Sequence, residues 1–148
     1  MEVKVKKMHP AATIPTFGSD EAAGCDLYAN LAEEGGMLVI RPGTKCFVKT
    51  GIAMAIPKGY GGFLYARSGL ACKQGLRPAN CVGVVDSDYR GEICVGLINQ
   101  YEESYTIQPG ERIAQLVVMP VCTAPTVEVT EIDETERGAG GFGSTGKQ

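Results

Sequence analysis

Tryptophan is absent from this chain, and histidine occurs once, as His9 before Pro10. A catalytic triad built on imidazole, or a metal site of several histidines, has almost nothing to draw on. His9 is expected at the surface, and a hydrolase of this composition would take a carboxylate as its base. The six cysteines, Cys25, Cys46, Cys72, Cys81, Cys94 and Cys122, include no C-x-x-C pair, so zinc-ligand spacing is missing as well. Missing too is any apolar run near the roughly 20 residues that cross a bilayer. The opening MEVKVKK has no apolar segment behind its charges, unlike a secretory signal. The protein is therefore expected to be cytoplasmic, with its cysteines as reduced and mostly buried thiols. A net charge of −3 gives no general pull toward nucleic acid or a membrane.

Turn chemistry is what the chain has in quantity. Its 148 residues hold 20 glycines and 8 prolines, a balance that favours short strands and tight turns over helices. An apolar content of 44% and a charged content of 21% suit an ordinary globule of one domain. Val3 and Val5 alternate with lysines as a first strand, and residues 11–19 read as loop. Residues 37–40, 46–49, 52–56, 63–66, 105–107, 112–119 and 126–129 read as further strands between Gly and Pro signals. Some ten or eleven short strands without an internal repeat predict an all-β barrel or jelly roll.

The chemistry is expected over residues 82–93, VGVVDSDYRGEI. Alternating apolar residues break into a polar turn ending in glycine, then resume over 92–100 as EICVGLINQ, the pattern of a β-hairpin. Its tip carries Asp86, Asp88, Tyr89 and Arg90. The two aspartates can equally be plain turn formers; the shortage of other bases argues for more. Asp26 stands alone between Cys25 and Leu27, either capping local amides at a strand end or serving a site. Arg67-Ser68-Gly69 breaks the β pattern, with Ser68 as an N-cap, 70–74 as the one convincing helix and Gly75 as its stop. Free N–H groups beside a hydroxyl and a guanidinium suit an anion, phosphate above all. The alternative is a capped turn with an exposed arginine. Gln115 interrupts the apolar run from Ile113 to Val118 and is either a structural bridge or a site residue. From Glu131 the chain turns acidic and then glycine-rich, with Arg137, Phe142, Ser144 and Thr145 set among five glycines in residues 137–146. That tail could not pack a core, and it lacks the lysine of a P-loop. It reads as a flap that orders over a ligand, with Phe142 stacked on a flat group.

Together these segments resemble the trimeric dUTP pyrophosphatases (dUTPases). Five motifs of that family stand in order along nearly the whole chain. They are Ala23 to Leu27 (AGCDL), Arg67 to Gly69 (RSG), Gly83 to Gly91 (GVVDSDYRG), Gly110 to Gln115 (GERIAQ) and Arg137 to Thr145 (RGAGGFGST). Cys25 fills a slot that varies in the family. The resemblance implies a distorted jelly-roll β-barrel over 1–130 with one short helix, a mobile arm over 131–148, and a homotrimer whose active sites are shared by three chains. It implies attack of water on the α-phosphorus of dUTP, giving dUMP and pyrophosphate. That activity limits uracil incorporation into DNA and supplies dUMP for thymidylate synthesis. By the same resemblance Asp86 positions and activates the water, and Arg67, Ser68 and Gly69 hold phosphates. Gln115 orders the water and phosphate region. Asn80 and the main chain at Gly83, Val84 and Val85 read uracil, with Cys94 as a weaker contact, and Tyr89 packs on the deoxyribose. Arg137, Phe142, Gly143, Ser144 and Thr145 come down with the arm. Mg²⁺ is held mainly by the triphosphate and reached by Asp26 through water. A dCTP deaminase shares the barrel, but would resemble a site with a glutamate base at the turn. A regulatory nucleotide-binding module on the same barrel finds no long insertion or extra domain to support it.

Overall fold

Short apolar alternations cut by glycine and proline give twelve strands and one helix among residues 2–141, which our computed structural model describes. The strands are β1 (Lys4–Lys7), β2 (Thr16–Phe17), β3 (Cys25–Tyr28), β4 (Leu38–Ile40), β5 (Lys45–Lys49), β6 (Ile52–Ala55) and β7 (Tyr60–Tyr65). The helix α1 (Ser68–Gln74) follows, then β8 (Leu76–Pro78), β9 (Gly83–Val85), β10 (Cys94–Asn99), β11 (Tyr105–Ile107) and β12 (Arg112–Pro120). They form four ladders: β1-β6, β5-β10-β8, β11-β4 and the five-stranded β2-β3-β12-β7-β9. No ladder closes on itself, so the architecture is a distorted jelly roll rather than a regular barrel.

The core follows from the two-residue period of the strands. Along β10, Val95, Leu97 and Asn99 point inward with no exposed surface, while Cys94 points out. Leu27, Val48, Ile107, Ile113 and Leu116 meet them in one cluster. Full burial of each such side chain contributes about 1.5–3 kcal/mol. Asn99 is tolerated there because every polar atom is matched. Its Nδ2 donates to the carbonyls of Ile40 (2.9 Å) and Glu103 (2.7 Å), and its Oδ1 accepts from the Tyr101 N–H (2.9 Å).

The structure corrects several expectations. Arg67, with extended φ and ψ of −81° and 130°, occupies the N-cap position, so Ser68 is the first helical residue and makes no capping bond. The start of α1 is open to solvent, with Ser68 and Gly69 exposed. Gly75 does end the helix, at a φ of 63° that a side chain would resist. Only Cys25 of the six free cysteines is buried; Cys72, Cys81, Cys94 and Cys122 are exposed. No strand forms over 126–129, where Val127 is 77% exposed and finds no strand to pair with among the described residues. The short strand β8 was not anticipated, because its proline masks the pattern; β10 supplies its partner. His9 is half-buried, and its Nδ1 accepts the Ala11 N–H at 3.1 Å.

Candidate functional site

Asp86 follows β9 directly, and the chain turns at once. The Tyr89 N–H bonds the Asp86 carbonyl at 3.2 Å. Arg90 folds back so that Nη1 donates to the carbonyls of Ser87 (2.7 Å) and Tyr89 (2.8 Å). That guanidinium is therefore a brace for the turn. Beyond it the two arms part. β9 lies along β7, with Phe63 opposite Val84, whereas β10 pairs with β5 and β8 in a different sheet. The expected hairpin ladder does not form. Each arm instead buries its apolar face against a larger sheet, Val85 on one side and Val95 and Leu97 on the other, which outweighs a two-stranded ribbon.

Their separation leaves a cavity of about 270 Å³, at the small end for ligand sites. Its lining includes Asn80, Gly83, Val84, Val85, Asp86, Tyr89 and Cys94, together with Leu64, Phe47 and Glu92. β9 is the last strand of its sheet, so among the described residues its outer edge has no strand partner. Peptide N–H and C=O groups on such an edge are free to bond a ligand, and their alternation suits the edge of a flat heterocycle. Glycine at 83 is what lets β9 lie so close: an added Cβ would stand 3.0 Å from Leu64 Cβ and 3.3 Å from Asn80 Nδ2. Asp86 lines this cavity and also a groove beyond it, where Lys58, Ser87, Asp88 and Arg90 stand among apolar residues such as Ile56 and Val121.

The same five-stranded sheet carries a second cluster. Register sets Gln115 of β12 opposite Asp26 on one side and Tyr65 on the other. Asp26, 9% exposed in the body of β3, caps no local amide. Its Oδ1 accepts Arg67 Nε at 2.8 Å and its Oδ2 accepts Arg112 Nη1 at 3.1 Å. Two guanidinium groups thus share one carboxylate, and the cluster keeps a net positive charge. Gln115 Nε2 donates to the Ala66 carbonyl at 2.9 Å, holding the junction between β7 and α1. Ser68 and Gly69 stand exposed at the start of α1. Next to Arg112, Glu111 accepts the Gln108 N–H at 2.9 Å and the Tyr105 hydroxyl. Burial, and then that carboxylate, push the Tyr105 phenol up to about 12.

Asp86, Asn80, Tyr89, Cys94 and the β9 backbone are thus brought together, as are Asp26, Arg67, Ser68, Gly69 and Gln115. None of the larger cavities is lined by both sets. Arg137 lies apart, exposed, its Nε bonded to the Gly140 carbonyl at 2.9 Å. Phe142, Gly143, Ser144 and Thr145 lie outside the described residues. Among those described, no three His, Cys, Asp or Glu side chains gather as metal ligands. This donor set does not suit a caged cation; with Asp26, it suits a hydrated one met through water. Two residues escaped the sequence reading. Arg112 meets Asp26 across 86 positions, which no local pattern reveals. Phe47, 78% exposed, lies over Gly96 at the cavity mouth, where strand alternation alone would leave it facing solvent.

Comparison with known proteins bears on these two clusters. The dUTPase family model matches residues 11–146. The deoxyuridine 5'-triphosphate nucleotidohydrolase of Syntrophotalea carbinolica is 48% identical over 144 residues, covering 97% of this chain and 96% of its own. That of Wolinella succinogenes is 50% identical over 147 residues, covering 99% and 95%. Among solved structures, the dUTPase of Staphylococcus bacteriophage 80alpha with dUpNHpp superposes with a TM-score of 0.88 at 31% identity, covering 98% of both chains. A mutant dUTPase of phage phi11 of S. aureus, described for its coordination of a structural Mg(II) ion, superposes at 0.78 with 25% identity, covering 88% and 98%. With the family model spanning both clusters and relatives matching end to end, the chain belongs to the dUTPase family.

Proposed function

We propose that this chain hydrolyses dUTP to dUMP and pyrophosphate by attack of water on the α-phosphorus. The observation that carries the reading is the edge of β9, unpaired among the described residues, with a small cavity beside it that Asp86 also lines. Uracil offers N3–H as a donor between two carbonyl acceptors, and the peptide groups of a strand edge together with the Asn80 amide complement that order. Cytosine reverses part of it and would leave buried groups unpaired, which discriminates strongly. Tyr89 packs on the deoxyribose and leaves no room for a 2′-hydroxyl. Thymine is refused because its 5-methyl adds bulk to a tight cavity.

Asp86 accepts a hydrogen bond from the attacking water and aims it at phosphorus. A carboxylate is a weak base at neutral pH, so its contribution is mostly orientation and field. Arg67, with Ser68 and Gly69, holds the phosphates, and Arg112 adds charge behind it. Asp26 holds Arg67 in place and reaches a hydrated Mg²⁺ through water. When bound, that ion neutralises charge on the triphosphate. The arm, 131–148, brings Arg137, Phe142, Gly143, Ser144 and Thr145 over the nucleotide. The separation of the two clusters within one chain supports a homotrimer in which neighbours complete each site.

The test is product analysis with dUTP, dCTP, dTTP and UTP in parallel. Only dUTP should yield a monophosphate and pyrophosphate. Ammonia released from dCTP would instead identify a deaminase, and binding without turnover of any substrate would identify a regulatory module.

A further inference from the structure

Tyr89 is not held by packing, since it is 45% exposed. Its ring is fixed by two features just downstream. The hydroxyl donates to the Glu92 carbonyl at 3.0 Å, and the ring's outer end lies against Gly91. A Cβ built on Gly91 would stand 2.4 Å from Tyr89 Oη, 2.6 Å from Cζ and 3.0 Å from Cε2. Contacts that short are impossible, so any side chain at 91 must move the phenol. The three atoms nearest to such a Cβ all belong to Tyr89. Gly91 has no positive φ, so an alanine there meets no backbone strain.

The acceptor that the hydroxyl grips is itself anchored. Glu92 Oε1 accepts the Gly51 N–H at 2.7 Å. The next residue, Ile93, is buried, donates its N–H to the Ile52 carbonyl at 2.8 Å, and accepts the Thr50 hydroxyl on its carbonyl at 2.6 Å. The Glu92 carbonyl is therefore a rigid post for the Tyr89 hydroxyl, and the outer end of the ring rests in the space over Gly91.

We infer that Gly91 is a positioning residue for sugar selection: its missing side chain seats the Tyr89 ring where that ring excludes a 2′-hydroxyl. The inference rests on the dUTP-hydrolase reading and goes beyond it, because it moves the discrimination between deoxyribose and ribose to a residue that touches neither. Both residues and the cavity belong to one chain, so the device works in every subunit independently.

The experiment measures kcat and KM for dUTP and UTP with the full-length protein, its G91A variant, Y89A, and the double variant. In G91A the ratio of kcat/KM for UTP to that for dUTP should rise at least about tenfold, the scale set by one steric contact in a pocket. The loss with dUTP should appear in KM more than in kcat. In the Y89A background the same glycine change should leave the ratio unmoved, since no ring remains to displace. The inference is overturned if G91A lowers activity on both nucleotides alike, or if the ratio shifts equally with and without the Tyr89 ring. A melting curve identifies a variant that fails to fold, and Y89F then supplies the second arm: it keeps the ring and loses the hydroxyl bond. Its ratio should rise less than that of G91A; a larger rise would put the hydroxyl, not the glycine, in control. If the unaltered protein does not hydrolyse dUTP, the functional reading itself fails, a result separate from these.

Discussion

Asp86 directly follows strand β9, with its backbone held by the turn and its residue lining both a cavity and the groove beyond it. In the proposed reaction this carboxylate aims a water. Asp86→Asn keeps the shape and loses the charge. It should therefore retain affinity for dUMP within a few-fold while turnover of dUTP falls by about 10²–10⁴. Isothermal titration and steady-state rates on the same preparation check both halves; turnover within a factor of three would remove Asp86 from its role. A different residue reports on stability. The Tyr105 phenol, raised from about 10 to about 12 by burial and the Glu111 carboxylate, favours its protonated form in the folded chain. A raised value means stability that is complete below about pH 10 and lost as pH climbs toward 12. Tyr105→Phe cannot ionise, so its melting temperature should fall less than that of the parent between pH 9 and 11.5. Parallel thermal melts across that range decide the point, and parallel slopes for the two proteins would count against it.

At the level of elements, the arm after β12 differs from the rest of the chain. From 121 to 141 no described residue is fully buried and no strand forms. Removing residues from Arg137 onward should shift the melting temperature by no more than about 2 °C, since none of its described residues, 137–141, is buried. Hydrolysis of dUTP should nevertheless fall by at least about tenfold if the arm closes over the nucleotide. Unfolding of the truncated protein would make the arm structural instead. What was legible in the sequence follows the same division. Strands β5, β6, β11 and β12 were readable because glycine and proline fence short apolar runs, and Gly75 marked the end of α1. The turn at 86–91 was legible as a turn, but not the parting of its arms. Local alternation says that β9 and β10 are strands; it does not say which sheet each joins. That choice is made by long-range burial of Val85 against one sheet and of Val95 and Leu97 against another. The base-sized cavity is a consequence of that choice, so it could be reached from the residues only through family resemblance. The Asp26–Arg67–Arg112 cluster was hidden for a related reason, as three short segments meet only once β3, β12 and β7 lie side by side.

For the whole molecule, one sheet carries both clusters yet keeps them at different places. Asp86 follows its edge strand β9, and Arg67 follows the far end of β7, beyond the residues that pair with β9. If neighbouring chains complete each site, a chain lacking one cluster should be rescued by a chain lacking the other. Asp86→Asn and Arg67→Ala should each be nearly inactive alone. In trimers formed by co-refolding the two in equal amounts, a working site needs Asp86 from an Arg67→Ala chain beside Arg67 from an Asp86→Asn chain. Random assembly then restores roughly a quarter of the sites, because each of two positions is filled correctly half the time. Activity should return only after subunits exchange, and simple mixing of preformed oligomers should stay inactive until exchange occurs. A site built within one chain predicts no recovery at any ratio, since every chain then carries a lesion in its own site. Sedimentation of the mixture, run alongside the assay, separates failure to assemble from failure to complement.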